Sequence, residues 1–191
     1  MFSGATTFWM TFRSLVCTKK YVSFKKFISH KVKKLYYLIY MSSYVFKSII
    51  GNIELVSSKN RIIAVHRTRK KPNKTEDELL KRSGLQIKMF LARKRRTLNF
   101  PTRQMGTKFQ NRVWNYLRRV PYGKTTTYGD IARKLKTSPR AVGGALGRNS
   151  LMMSVPCHRV VGSDGKLTGF TSVGGLNTKK DLLNIEQKTK K

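Results

Sequence analysis

The sequence predicts two small domains, an α/β unit followed by a mainly α-helical unit, and three observations support this division. Strand-like runs separated by turn signals occupy residues 43–67, and apolar residues at helical spacing dominate after residue 75. Pro101 and Gly106 punctuate the stretch between the two patterns. A chain of 191 residues is long enough to give each unit a core. The predicted parts are a basic extension, an α/β unit, a mainly α-helical unit and a basic tail, which span residues 1–40, 41–101, 102–187 and 188–191.

The first 40 residues contain eight Lys or Arg, no acidic residue and no clear periodicity. They lack the basic start and the small-residue cleavage site of a secretory signal. Three interpretations stay open: a basic arm, an organelle-type presequence, or an extension upstream of the true start, because Met41 directly precedes the first well-patterned run. We expect a poorly ordered extension that takes no part in the chemistry.

β-Branched and aromatic residues predict three strands in the α/β unit, over residues 44–48, 53–57 and 61–66. Gly51-Asn52 is a turn signal between the first two strands, and residues 58–60 lead into the third. The pattern predicts a hairpin followed by one further strand.

A helix is predicted to follow the strands, opening at residues 75–78. Acidic residues 76–78 fall in its first turn, where negative charge interacts favourably with the helix dipole. Gly84 weakens the helical pattern, and basic residues 94–96 are expected to end the helix. The apolar positions that suit one face are Leu79, Leu80, Ile87, Phe90 and Leu91.

The second unit contains three predicted helices. Pro121 and Gly123 end the first, whose apolar residues at helical spacing are Phe109, Val113, Trp114 and Leu117. The second helix is predicted over residues 128–135. Ser138 as N-cap and Pro139 at the first helical position begin the third.

The last two predicted helices are short, are joined by a tight turn, and place Arg140 near the start of the second. This arrangement is typical of a helix-turn-helix motif. An ordinary helical hairpin is the alternative, and it is the commoner structure on shape alone. The charge of the chain and the neighbouring Cys157 favour the DNA-binding interpretation.

The chain is strongly basic, with 41 Lys or Arg against 8 Asp or Glu and a net charge of +33. Residues 41–191 alone carry +25. Such an excess predicts a polyanionic partner, because neutralising phosphates releases counterions. Nucleic acid is favoured over a membrane surface, since the basic residues are spread through a patterned chain and no run reaches the roughly 18 apolar residues of a membrane span. A general RNA-binding protein is an alternative that rests on charge alone.

One of the two cysteines, Cys157, lies in the hexapeptide Val-Pro-Cys-His-Arg-Val of residues 155–160. A reactive cysteine needs a neighbouring base or cation, and His158 and Arg159 are the candidate proton acceptor and positive charge. A buried structural thiol is the alternative for a lone cysteine. The two cysteines, Cys17 and Cys157, form neither a disulfide framework nor the spacing of zinc ligands. We therefore expect a protein without metal or cofactor that works in a reducing compartment.

Several motifs in the second unit match one known family in the same order. They are Gly106-Thr107-Lys108-Phe109-Gln110, Pro121-Tyr122-Gly123-Lys124-Thr125, Tyr128-Gly129, Arg140-Ala141-Val142-Gly143-Gly144-Ala145, Asn149, Pro156-Cys157-His158-Arg159-Val160-Val161 and Gly174-Gly175-Leu176. Residues 106–186 thereby resemble the catalytic domain of the O6-alkylguanine-DNA alkyltransferases, which are suicide DNA-repair proteins. Residues 43–100 resemble, at the level of pattern, the ribonuclease-H-like N-terminal domain of that family. The resemblance implies a winged-helix-like arrangement around the helix-turn-helix.

The resemblance also implies a mechanism. Because the alkylated base must leave the stack, Arg140 would fill the gap in the DNA and Tyr128 would crowd the phosphate of the target nucleotide. Cys157 would attack the alkyl carbon, activated through a water held by His158, which Glu186 orients. From the residues alone, we would interpret Arg140 as a phosphate contact, Tyr128 as an aromatic that packs against the helix, and Glu186 as a surface ion-pair partner.

Supporting roles follow from the same resemblance. Asn149 would tie the helix-turn-helix to the cysteine loop, while Arg159 and Lys179 would support the pocket. The loop around residues 170–173 departs from the family pattern by two inserted residues, and Glu186 matches the family's acid only with that insertion. Either Thr171 or Ser172 supplies the hydroxyl that contacts the base, and the sequence leaves this choice open. The presence of Cys157 argues for alkyl-transfer activity.

The predicted function is direct and irreversible transfer of an alkyl group from O6-alkylguanine in double-stranded DNA to Cys157, with O4-alkylthymine as a further candidate substrate. The protein would act once, as a monomer without a stable protein partner, in the cytoplasm or, in a eukaryote, the nucleus. The alternative is a non-enzymatic binder of alkylated or ordinary DNA. The combination of Cys157, His158 and Glu186 argues against a mere binder.

Overall fold

A computed structural model describes residues 41–187. The predicted basic extension of residues 1–40 and the basic tail of residues 188–191 lie outside the described residues. The domain boundary expected at residues 101 and 102 stays a prediction.

The described chain begins with an antiparallel sheet of three strands in the order β1 (Met41–Phe46), β2 (Ile53–Ser58) and β3 (Arg61–Arg67). The three predicted strands are therefore present. The first begins three residues and ends two residues earlier than predicted, and the turn that starts at Ser48 accounts for the earlier end. The backbone of Ser48 and Gly51 exchanges two hydrogen bonds of 3.1 and 3.2 Å, and Gly51 has a φ of +102°, which a glycine adopts without strain.

Helix α1 (Glu78–Leu91) packs against β1 and β2. Asp77 caps it by accepting hydrogen bonds from the backbone amides of Leu79 and Leu80, so the helix begins after Asp77 and Glu78 is the only acidic residue within the first turn. The helix ends before the basic residues predicted to close it, because Arg93 takes a left-handed conformation with a φ of +61°. Gly84 is buried, and a Cβ there would lie 2.8 Å from the ring of Tyr44. The glycine thus lets the helix approach the sheet.

Helices α2 (Lys108–Arg118), α3 (Tyr128–Leu135) and α4 (Pro139–Gly147) pack on one another. The predicted caps are present: Ser138 accepts from the amide of Ala141 at 3.2 Å, with Pro139 in the first turn. The three residues 136–138 form the tight turn of the helix-turn-helix. The buried Trp114 donates to the carbonyl of Ala145 at 2.9 Å and fixes α2 to α4. The coarse prediction of a small α/β unit followed by a helical one is confirmed.

The chain then passes through a 3₁₀ turn at Cys157–Arg159 into β5 (Val160–Val161), which pairs in parallel with β4 (Thr126–Thr127), and it ends in α5 (Gly175–Gln187). Val65 in β3 exchanges backbone hydrogen bonds with Ser150 and Met152, at 2.8 and 3.0 Å. The segment before the cysteine is therefore held against the sheet. Within residues 41–187, no helix has the length and apolar character needed to cross a membrane.

Candidate active site

Cys157 is the first residue of the 3₁₀ turn and lines a cavity of about 470 Å³. The turn begins after Pro156, and the amide of Cys157 donates to the carbonyl of Val155 at 2.8 Å, which tightens the backbone at the cysteine. The residue is partly exposed, so a ligand in the cavity can reach the sulfur. This thiol has the access that a nucleophile requires.

Asn149 joins the end of the helix-turn-helix to the thiol. Its amide nitrogen donates to Sγ of Cys157 at 3.2 Å and to the carbonyl of Val155 at 2.9 Å. Its oxygen accepts from the amide of Leu151 at 3.0 Å and from Nε2 of Gln104 at 2.9 Å. Because both ends of the amide are bonded, its orientation is fixed. Asn149 therefore lies between α4 and the cysteine.

Burial raises the pKa of the Cys157 thiol above its ordinary value of 9.0. The hydrogen bond from Asn149 and the positive charge of Lys179 oppose this effect without reversing it. The resting group at neutral pH is therefore the thiol, and its use as a nucleophile requires a base that takes the proton.

His158 is fully buried next to Cys157, and its Nε2 lies 2.7 Å from Oε1 of Glu186. A carboxylate can only accept, so Nε2 carries the proton and Nδ1 presents a lone pair. Among residues 41–187, no protein group is hydrogen-bonded to Nδ1. Burial lowers the pKa of His158 below 6.5 although Glu186 raises it, so the imidazole is neutral at neutral pH. His158 is thus available as a proton acceptor.

Glu186, in the last turn of α5, is buried and accepts several hydrogen bonds. Besides His158, it accepts from the amide of Gly123 at 2.9 Å and from Nε and Nη2 of Arg159, each at 2.9 Å. Burial alone would raise the pKa of this carboxyl, but the hydrogen bonds from His158 and Arg159 outweigh it and lower the pKa to about 2. Glu186 is therefore a permanent anion behind the imidazole.

Arg159 does not supply the positive charge that the sequence suggested beside the thiol. A 3₁₀ turn has three residues per turn, so neighbouring side chains point in different directions. The guanidinium of Arg159 binds Glu186 and donates to the carbonyl of Val120 at 2.6 Å. The residue is buried and supports the acid, not the cysteine.

Lys179 is the cation near the thiol. It is buried in α5, its Nζ donates to the carbonyl of Thr168 at 2.6 Å, and burial lowers its pKa to about 8. Its Nζ also lies 5.8 Å from the ring centre of Tyr128, whose hydroxyl donates to the same carbonyl at 3.2 Å. Lys179 and Tyr128 together hold one side of the loop that follows β5.

Arg140 is exposed at the start of α4 and makes no hydrogen bond or ion pair with any described residue. The two loop hydroxyls both border the cavity: Thr171 donates to the carbonyl of Gly147 at 3.4 Å, and Ser172 lies 3.5 Å from the sulfur of Met152. The geometry brings both hydroxyls to the pocket, and the choice between them stays open.

Sequence reasoning missed three contributors to the site. Gly123 was interpreted as a helix stop and as part of a family motif, without a role at the acid. Its φ of +72° lets its amide reach Glu186, and a Cβ there would lie 3.1 Å from the carbonyl oxygen of Glu186. Gln104 had no distinguishing signal. His66 on β3 borders the cavity although it lies 91 positions before Cys157. Only the three-dimensional structure shows such a distant contribution.

Comparisons with known proteins find similar chains that share one family. The model of the family described as 6-O-methylguanine DNA methyltransferase, DNA binding domain, matches residues 108–188. A methylated-DNA–protein-cysteine methyltransferase of Methanosarcina acetivorans is 41% identical over 112 residues, covering 58% of this chain and 70% of that protein. The inducible enzyme of Bacillus subtilis is 41% identical over 115 residues, but the match spans only 59% of this chain and 63% of that protein.

The crystal structure of Mycobacterium tuberculosis OGT in complex with DNA superposes with a TM-score of 0.68 at 33% identity, covering 76% of this chain and 92% of that one. The O6-methylguanine methyltransferase of the same organism gives the same TM-score at 32% identity, covering 78% and 93%. These matches extend beyond the catalytic part to most of the described chain. Because a relative that is 41% identical is matched over 70% of its length, the chain belongs to the family of methylated-DNA–protein-cysteine methyltransferases.

Proposed function

We propose that this protein repairs O6-alkylguanine in double-stranded DNA by transferring the alkyl group irreversibly to Sγ of Cys157. The observation that carries the proposal is a pocket thiol at Cys157 directly before a neutral, buried His158, which is hydrogen-bonded to the anionic Glu186. Nucleophile, base and orienting acid are the three parts that a covalent mechanism needs.

The transfer balances without a cofactor or a metal. Nδ1 of His158 takes the thiol proton through one water molecule, and the thiolate attacks the alkyl carbon in line with its bond to O6. The new bond joins sulfur to carbon, the carbon–O6 bond breaks, and its electron pair stays on guanine, which is then protonated by the imidazolium through solvent. Glu186 stabilises that imidazolium, and Arg159 keeps Glu186 ionised. The products are guanine and S-alkylcysteine, so each molecule acts once.

The helix-turn-helix would bring the target base to the pocket. Arg140 is exposed at the N-terminus of α4 with no partner among residues 41–187, so its guanidinium is available to occupy the gap left by an extruded base. The ring of Tyr128 borders the cavity and is held from behind by Lys179, so it can crowd the phosphate of that nucleotide. The net charge of +33 supplies attraction to DNA that does not depend on sequence.

Finer features belong to the same proposal. The three-stranded sheet with α1 is a ribonuclease-H-like unit, and the helix-turn-helix with its short parallel strands is winged-helix-like. The protein works as a monomer on duplex DNA, with no stable protein partner, in the cytoplasm or, in a eukaryote, the nucleus. O4-alkylthymine is a further candidate substrate.

The proposal is tested by mass spectrometry after incubation with a duplex that contains O6-methylguanine. One methyl group per molecule should appear on the peptide that contains Cys157, and Cys157→Ser should abolish it while DNA binding persists, because oxygen is the poorer nucleophile. The matched control, Cys17→Ser, should react like the wild type. Repeated turnover or a methyl group on Cys17 would contradict the mechanism, and binding without any transfer would favour the non-enzymatic alternative.

A further inference from the structure

One wall of the Cys157 cavity comes from β3, a strand of the N-terminal sheet. Val65 and His66 line the same cavity as Cys157 and as Ser172 of the loop that follows β5. Nothing in the proposed chemistry uses either β3 residue. His66 is the larger of the two, and its side chain is 45% exposed, so part of the ring faces open space.

The ring of His66 is held in place from behind. Its Nε2 lies 3.1 Å from Oε2 of Glu54, which is directly opposite in the β2–β3 register and is only 3% exposed. The other oxygen of Glu54 accepts from Nζ of Lys70 at 2.7 Å. Because a buried carboxylate with two partners has little freedom, the imidazole has a fixed position at the pocket wall.

The strand that carries His66 is also fixed relative to the rest of the pocket. On one side of His66, the backbone of Val65 is bonded to the segment just before the cysteine. On the other side, Nη1 of Arg67 donates to Oγ1 of Thr178 at 2.8 Å, and that hydroxyl donates to the carbonyl of Val173 at 2.8 Å, at the end of the loop. These hydrogen bonds therefore fix the distance between the strand that carries His66 and the loop that follows β5.

We propose, on the basis of the proposed alkyl transfer, that His66 is a specificity-determining residue which limits the size of the alkyl group. The reacting carbon must lie against Sγ of Cys157, so any further atoms of the alkyl group extend into the cavity that both residues line. The imidazole occupies part of that space and cannot swing away while Glu54 holds it. A bulky group such as benzyl loses more room to this wall than a methyl group does.

The test measures single-turnover transfer from two duplexes that differ only in carrying O6-methylguanine or O6-benzylguanine. The readout is the ratio of the benzyl rate to the methyl rate within one protein preparation, which does not depend on the fraction of folded protein. His66→Ala should raise this ratio by about tenfold and His66→Trp should lower it, because one pocket contact of methylene size changes discrimination by roughly tenfold or more.

Arg61→Ala is the matched control, since Arg61 is exposed at the start of the same strand and does not border the cavity. Its ratio should equal that of the wild type. Equal ratios in all four proteins, or a shift of the same direction for His66→Ala and His66→Trp, would overturn the proposal. If the wild type transfers neither group, the proposed function itself fails, and the two failures are thus distinguishable.

Discussion

Replacing Glu186 by Gln tests the anion on which the site depends. Glu186 faces N–H donors from His158, Arg159 and the Gly123 amide. The glutamine amide keeps the volume but exchanges one acceptor oxygen for an NH₂ group, which meets these donors with further N–H groups. The guanidinium of Arg159 then stays buried without a compensating negative charge.

The size of the effect follows in two ways. A carboxyl whose pKa falls from 4.5 to about 2 on folding contributes on the order of 3 kcal/mol to the free energy of unfolding at neutral pH. Breaking a buried ion pair by removing one partner costs about 3–5 kcal/mol. We therefore expect Glu186→Gln to lose about 3–5 kcal/mol, a large part of the roughly 5–15 kcal/mol that stabilises a typical protein.

The pH dependence gives the effect a signature. Because folding depresses the pKa of Glu186, its contribution is fully present above its ordinary value of 4.5 and is lost as the pH falls toward about 2. The stability gap between wild type and Glu186→Gln should therefore be full at pH 7 and smaller at a pH between these values.

Urea unfolding followed by circular dichroism measures the gap at each pH. The matched control is Asp181→Asn, because Asp181 is an exposed acid on the same helix and its stability change should be small. Equal losses for the two variants, or a gap for Glu186→Gln that is independent of pH, would refute the reasoning.

Four further predictions concern DNA and transfer. Arg140→Ala should slow repair of a duplex much more than transfer from free O6-benzylguanine, because only the duplex base must be unstacked at a cost of a few kcal/mol, and equal losses on both substrates would remove Arg140 from base flipping. Tyr128→Phe should harm duplex repair less than Tyr128→Ala, since the bulk of the ring is its main contribution. Duplex binding should weaken steeply with salt, by a slope of about −0.9 in log affinity per neutralised phosphate, and a flat salt titration would contradict the inference from charge. Since burial holds the pKa of His158 below 6.5, the single-turnover rate should persist at pH 6.5 and fall only at lower pH, which a pH–rate profile measures.

Local patterns predicted the elements well because the signals are themselves local. Ser138 and Pro139 mark the start of α4, and the helical spacing of Val113, Trp114 and Leu117 matches the buried face of α2. The predicted end of β1 was two residues too late, because the turn that starts at Ser48 has no strong strand-breaking residue at its first position.

For the site, some contacts could be expected from the sequence and others could not. The contact between His158 and Glu186 was expected from the family resemblance, with a two-residue insertion, because no spacing rule links residues 28 positions apart. The direction of Arg159 was not predictable, since it depends on the 3₁₀ turn and on where α5 ends. His66 entered the pocket wall through the pairing of distant segments, for which a single sequence carries no local signal.

The position of Glu186 near the end of α5 has a consequence for how the protein is made. Glu186 contacts Gly123 and His158, which lie 63 and 28 positions earlier in the chain. Its hydrogen bonds therefore close long loops and belong to the slow, non-local part of folding. Synthesis proceeds from the N-terminus at roughly 5–20 residues per second, and the thiol therefore emerges before the acid that completes its base. A nascent or partly folded chain carries Cys157 without an oriented imidazole, so the base-assisted transfer proposed for the site is not available to it. On the proposed mechanism, base-assisted transfer is thereby confined to molecules whose folding is complete.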